Sequence, residues 1–149
     1  MIGCDNLANR GKEFEKIVQK AIEELDDVCI IRLIDSYGYS QNPSDFIVYK
    51  SPTMYFMELK SHEHKSFPIN CISENQLTLM SKWDKLEGIH SIVIIWFVDC
   101  DTTKLFTIGY INECIAKGIK SIRYDDEHGI EIPAKKKRKF FNYDFSNVF

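Results

Sequence analysis

Asp45 is followed, after twelve intervening residues, by Glu58-Leu59-Lys60. Side chains alternate across a strand, so on an extended segment Glu58 and Lys60 point to one face. A tight hairpin brings Asp45, at the start of the partner strand, beside them. Two carboxylates and a lysine then converge at one end of a sheet. Neighbouring carboxylates repel, and burying them is costly. A divalent cation removes that cost, and Mg²⁺ takes one or two carboxylates together with waters and phosphate oxygens. A lysine on the same face would hold or help deprotonate an attacking water. The chemistry such a set supports is metal-assisted hydrolysis of a phosphodiester. Spacing alone leaves a second reading open: Glu58 and Lys60 on a solvated strand face, with Asp45 a turn residue.

The elements that must position these residues are legible from periodicity. Phe14, Ile17, Val18, Ala21, Ile22 and Leu25 recur at helical spacing, which predicts a helix over 6–25. β-Branched residues predict a strand over 28–34, then a polar loop over 35–44 with Gly38 and Pro43. Residues 45–49 and 54–60 read as a hairpin around Lys50-Ser51-Pro52-Thr53. A polar loop over 62–70 follows. Ser73 and Gln76 have capping-box spacing and open a second helix, with Leu77, Met80, Trp83 and Leu86 on its buried side and Gly88 as its stop. Residues 91–98, apolar throughout after Ser91, suit a strand buried on both faces. A strand over 104–108, a helix over 110–117 and short strands over 119–124 and 130–132 complete the reading. The expected fold is α/β: an αβββαβ core with a mixed central sheet flanked by helices.

In that setting the pattern Pro43-x-Asp45…Glu58-x-Lys60 resembles the PD-(D/E)xK nuclease superfamily, whose fold is restriction-endonuclease-like. A closer resemblance is to the RecU-type Holliday junction resolvases. It is carried by Asn9-Arg10-Gly11 with Glu15, Asp45-Phe46, Tyr49-Lys50, Glu58-x-Lys60, Ser66-Phe67-Pro68-Ile69, Asn75-Gln76, Met80 and Glu87-Gly88-Ile89. Ser121-Ile122-Arg123 and Ile132-Pro133 fit more loosely.

The resemblance implies that Asp45 and Glu58 are metal ligands, with the Leu59 carbonyl a third, and that Lys60 positions or activates water. Glu15 would complete the site; by itself it reads as a helix carboxylate beside Lys12 and Lys16. Gln76 would lie near the site, and its capping role is compatible with that. Arg10 would contact DNA phosphate; by itself it reads as a solvated helix charge. The implied cofactor is Mg²⁺, with Mn²⁺ able to substitute. The implied partners are a four-way DNA junction and a second copy of the chain, each site making one of two paired nicks that leave a 5′-phosphate and a 3′-hydroxyl. The alternatives are another nuclease of the superfamily, acting on branched or duplex DNA, and a non-catalytic DNA-binding module of the same fold.

Two departures stand out. The resolvases carry a long basic stalk between the first helix and the catalytic aspartate. Here Asp26 to Ser44 fills that interval with one basic residue, Arg32. Asn75 also stands where the family has histidine. A compact phage variant is the expected form.

The 149 residues suit one nuclease domain, with a basic and aromatic C-terminal segment over 133–149. Net charge is −3, from 19 basic and 22 acidic residues. Five of the basic ones are Lys135, Lys136, Lys137, Arg138 and Lys139; without them 14 basic residues face 22 acidic ones. Bulk charge therefore gives no sign of nucleic-acid binding. The local tract, followed by Phe140, Phe141 and Tyr143, suits phosphate contact or a solvated tail. His62-Glu63-His64 lies in a polar loop and with Lys65 is placed near DNA rather than on a metal. The five cysteines are widely spaced with no CxxC pair, so they are expected reduced and mostly in the core. The longest apolar run, Ile92 to Val98, is too short to cross a bilayer, and polar residues follow Met1, so no membrane association and a cytoplasmic location are expected.

Overall fold

The computed structural model describes residues 3–34, 42–137 and 141–149, with side chains described from residue 8 onward. Helix α1 covers Gly3–Glu23. Phe14, Val18 and Ile22, four residues apart, form its buried stripe. Strands β1 (Val28–Arg32), β2 (Phe46–Lys50) and β3 (Thr53–His62) follow as an antiparallel meander. Helix α2 (Glu74–Trp83) then carries the chain across to β5 (Ile89–Phe97), which lies parallel to β3. β6 (Thr102–Thr107) and β8 (Ile130–Glu131) extend the sheet, and α3 (Ile108–Ala116) follows β6. The sheet order β1-β2-β3-β5-β6-β8 is mixed, and the αβββαβ order is the one expected.

β5 explains the two layers. Ile92 and Ile94 face α1, joining Phe14, Val18, Met57 and Leu59. Val93, Ile95 and Phe97 face α2 and α3, joining Met80, Ile108 and Ile111. A strand buried on both sides needs no polar alternation, which is why its sequence is a continuous apolar run.

The structure differs from expectation in four places. The polar segment 62–70 contains a strand, β4 (Ser66–Pro68), paired with β7 (Ser121–Arg123); Phe67 and Ile122 face each other across it, both buried. One aromatic residue anchors an otherwise polar stretch. Helix α2 stops at Trp83, well before Gly88, and Leu86 is exposed. Ser91 ties this end to β5: its hydroxyl donates to the Met80 carbonyl at 2.8 Å and its N–H to the Asp84 carboxylate at 2.7 Å.

The C-terminal segment is a hairpin, β9 (Ala134–Lys136) with β10 (Phe141–Tyr143), docked on the α1 side. Tyr143 and Phe145 are buried there, and the Tyr143 hydroxyl meets Thr103 Oγ1 at 2.9 Å. Cysteines also depart from expectation. Among those described, Cys114 alone is buried, while Cys29 and Cys71 are exposed; these and Cys100 are free thiols. Among the described residues no helix is long and apolar enough to cross a membrane.

Candidate active site

The site forms where β2 stops pairing with β3. The last β2 pair is Phe46 with Met57. One residue earlier, Asp45 leaves the ladder and opens the β3 edge at Glu58, Leu59 and Lys60. The Leu59 N–H, without a strand partner there, donates to Asp45 Oδ2 at 2.8 Å. A residue's N–H and C=O leave a strand on the same edge, so the Leu59 carbonyl faces this gap while its side chain is buried in the α1 core. Glu58 and Lys60 share the opposite face, joined by a 2.8 Å ion pair from Lys60 Nζ to Glu58 Oε1.

Glu58 is 2% exposed, and its second oxygen, Oε2, is buried without a hydrogen-bond partner. An orphaned carboxylate oxygen is costly unless something cationic meets it. Asp45 feels the same strain. Burial first, and then the charge of Glu58, push its carboxyl up to about 7 against the opposing Leu59 N–H, Lys60 and Arg32. The residues therefore fit a divalent cation: Asp45, Glu58 and the Leu59 carbonyl would hold it. Among the described residues no three acidic, histidine or cysteine side chains make a metal cage on their own. A two-carboxylate site needs none, because waters and phosphate oxygens complete a Mg²⁺ shell.

Glu15 is half-buried on α1 and turned to Arg32, at 2.8 Å from Oε2 to Nη2. Its carboxyl is raised by burial and by Asp45, and held back by Arg32, Lys12 and Lys60. It stands next to the pair of carboxylates in the electrostatic sense but is occupied by its own cation. The sequence reading does not place Arg32 in the site. It ends β1 and acts on both Glu15 and Asp45; its one available signal was being the sole basic residue between α1 and Asp45.

Gln76 is the third residue of α2, where the capping box with Ser73 is formed: Gln76 N–H donates to Ser73 Oγ at 3.2 Å and Ser73 N–H to Gln76 Oε1 at 3.3 Å. It is two turns before Trp83, which packs on Phe56 with ring centroids 4.7 Å apart. Phe56 precedes Glu58 on the same sheet face, and α2 runs antiparallel to β3. Gln76 thus lies toward the Glu58–Lys60 end of that face.

The cationic residues expected at DNA are spread around this end. Arg10 pairs with Glu63 at 3.2 Å. Lys65 is exposed in the turn between β3 and β4. His64 is 3.4 Å from Asp99, and His62 packs edge-on to Phe67. Lys136 pairs with Asp101 at 2.9 Å, whereas Lys135 and Lys137 are exposed on and beside β9. Arg138 and Lys139 lie outside the described residues.

The family model of RecU, recombination protein U, matches residues 32–143. That span holds Asp45, Glu58, Leu59, Lys60 and Gln76 and begins after α1, which carries Arg10 and Glu15. Among solved structures, Hjc from Archaeoglobus fulgidus, a Holliday junction resolvase from an archaeal hyperthermophile, is similar at 16% identity and a TM-score of 0.47, covering 68% of this chain and 77% of that chain. No curated protein matches. Matched across most of its length, the chain belongs to the RecU family of Holliday junction resolvases, a family of nucleases that resolve branched DNA.

Proposed function

We propose that the chain is a single-domain, divalent-cation-dependent endonuclease that resolves four-way DNA junctions at Asp45, Glu58 and Lys60. The observation that carries this reading is the buried, unpartnered Glu58 Oε2 beside Asp45. Mg²⁺, or Mn²⁺ in its place, would be held by Asp45, Glu58 and the Leu59 carbonyl. Bound there, the cation supplies charge to the phosphoryl group and favours deprotonation of water.

The protein's own groups do the rest. The Leu59 N–H fixes the Asp45 carboxylate. The Glu58 carboxylate fixes the Lys60 ammonium, which orients the attacking water and stabilises charge on the scissile phosphate. Water adds to phosphorus as the P–O3′ bond breaks, and the 3′ oxygen takes up a proton, leaving a 5′-phosphate and a 3′-hydroxyl. Arg10, Lys65 and the Lys135–Lys139 tract supply phosphate contacts, for which Arg10 must exchange Glu63 for DNA. The active form is a homodimer, one site for each of two opposed strands. The setting is the cytoplasm, where chromosomal or phage DNA is recombined.

The short interval from Asp26 to Ser44 favours a second reading, a nuclease of the same fold with looser choice among branched and duplex DNA. Matched junction, fork and duplex substrates with Mg²⁺ separate the two. Junction-selective cutting by the wild type, lost in Asp45→Asn, is expected. Equal cutting of duplex supports the second reading, and binding without cutting at any Mg²⁺ or Mn²⁺ concentration supports a non-catalytic module.

A further inference from the structure

Lys16 and Lys20 lie one turn apart on the exposed side of α1. With Lys137 they line a cleft of about 620 Å³ between α1 and the β9–β10 hairpin. Its apolar lining comes from Ile17 and Phe141, and its one acidic residue is Glu24. Among the described residues none of the three lysines makes an ion pair, whereas Arg10, Arg32, Lys60 and Lys136 each do. Phe141 packs edge-to-face on Trp96, 5.4 Å between centroids, and Trp96 is in register with Ser61, the residue after Lys60. Phe141 thus brings one end of the cleft level with Ser61, on the α1 face of the sheet and so opposite the face of Glu58 and Lys60, and from there the cleft runs along α1 toward Glu24.

We propose that this cleft holds one sugar–phosphate strand of the DNA arm leaving the active site. The proposal rests on the nuclease reading above. Three unpaired ammonium groups converging on one opening repel each other, and a polyanion relieves that repulsion. Lys16 and Lys20 are offset by about 6 Å along the helix, and one DNA strand presents a phosphate about every 3.4 Å along its axis. The lysines thus match every second phosphate along one strand, and the apolar lining packs against sugars. Such contacts set orientation and affinity without reading sequence. They also account for how a chain of net charge −3 engages DNA.

The test is junction binding over a range of salt in an Asp45→Asn background, measured with a fluorescent four-way junction. Lys16→Ala/Lys20→Ala/Lys137→Ala is compared with Lys85→Ala/Lys117→Ala/Lys120→Ala, which removes the same charge from the α2–α3 side. The cleft variant should lower the slope of log affinity against log salt by about 2–3 and weaken binding roughly tenfold or more at 0.1 M salt. The control should change neither. Lys16→Arg/Lys20→Arg should keep the wild-type slope, because charge and helix are both retained. An unchanged slope, or an equal loss in the control, overturns the proposal. A wild type that binds junctions but never cuts them overturns the nuclease reading while leaving the slope comparison valid.

Discussion

At the scale of single residues, burial and the charge of Glu58 oppose ionisation of Asp45, and Glu58 keeps one buried oxygen without a partner. Asp45→Asn and Glu58→Gln should each abolish cleavage while sparing junction binding, and appreciable residual cleavage in either would remove the metal-ligand assignment. Lys60→Ala should slow cleavage about 10²-fold or more with metal affinity retained, as read by Mg²⁺ titration of the stability shift. The raised Asp45 carboxyl also has a sign. Its folded value of about 7 lies above its ordinary 3.8, so between these the native state binds the extra proton. Stability from this group is therefore greatest at low pH and falls as pH rises from about 4 to about 7. Thermal unfolding without divalent cation should show that fall, Asp45→Asn should flatten it, and Mg²⁺ should raise the melting temperature most at and above pH 7.

At the scale of elements, the first turn of α2 carries a capping box, and on the nuclease reading proposed above Gln76 would also act near the site. The Ser73–Gln76 box satisfies backbone groups, and the same turn faces the Glu58–Lys60 end of the sheet. The two roles separate in substitutions. Gln76→Ala loses both, at about 1 kcal/mol of stability. Gln76→Glu keeps an acceptor for the Ser73 N–H and should restore the melting temperature. Cleavage that recovers along with stability would assign Gln76 to capping alone; the expected result is that it stays reduced. The C-terminal hairpin is likewise more than a tail. Phe145 is 1% exposed in the α1 core, so Phe145→Ala should cost about 3–5 kcal/mol, measured by denaturant unfolding.

At the scale of the molecule, the sheet is covered unevenly. Helix α2 covers the face of Glu58 from Phe56 outward, through Trp83. On that same face β1 and β2 leave Cys29, Ile31 and Tyr49 exposed, with Ile31 54% accessible. This apolar face is continuous with the Asp45 edge, and it is where the proposed second copy would seat, so that two sites act on one junction. Ile31→Lys/Tyr49→Lys should give a monomer by sedimentation and convert paired nicks into independent ones. A dimer unchanged by both lysines would place the subunit contact elsewhere.

Local pattern was enough to identify the long helix, the hairpin, the doubly buried strand and the Asp45/Glu58/Lys60 spacing. In each case a repeat of 3.6 or 2 residues, or an unbroken apolar run, records which side faces the core. Short segments carry no such record. β4 is three residues whose only anchor is Phe67, and the β9–β10 hairpin is a lysine-rich stretch that pairs because Tyr143 and Phe145 find a place against α1. Arg32 became part of the site only when β1 and α1 brought it between Glu15 and Asp45. Sequence by itself determined which residues could do chemistry. Tertiary structure decided that β2 leaves the ladder at Asp45 and buries an unpaired Glu58 oxygen beside it, because burial and charge proximity arise between segments that are far apart in the chain.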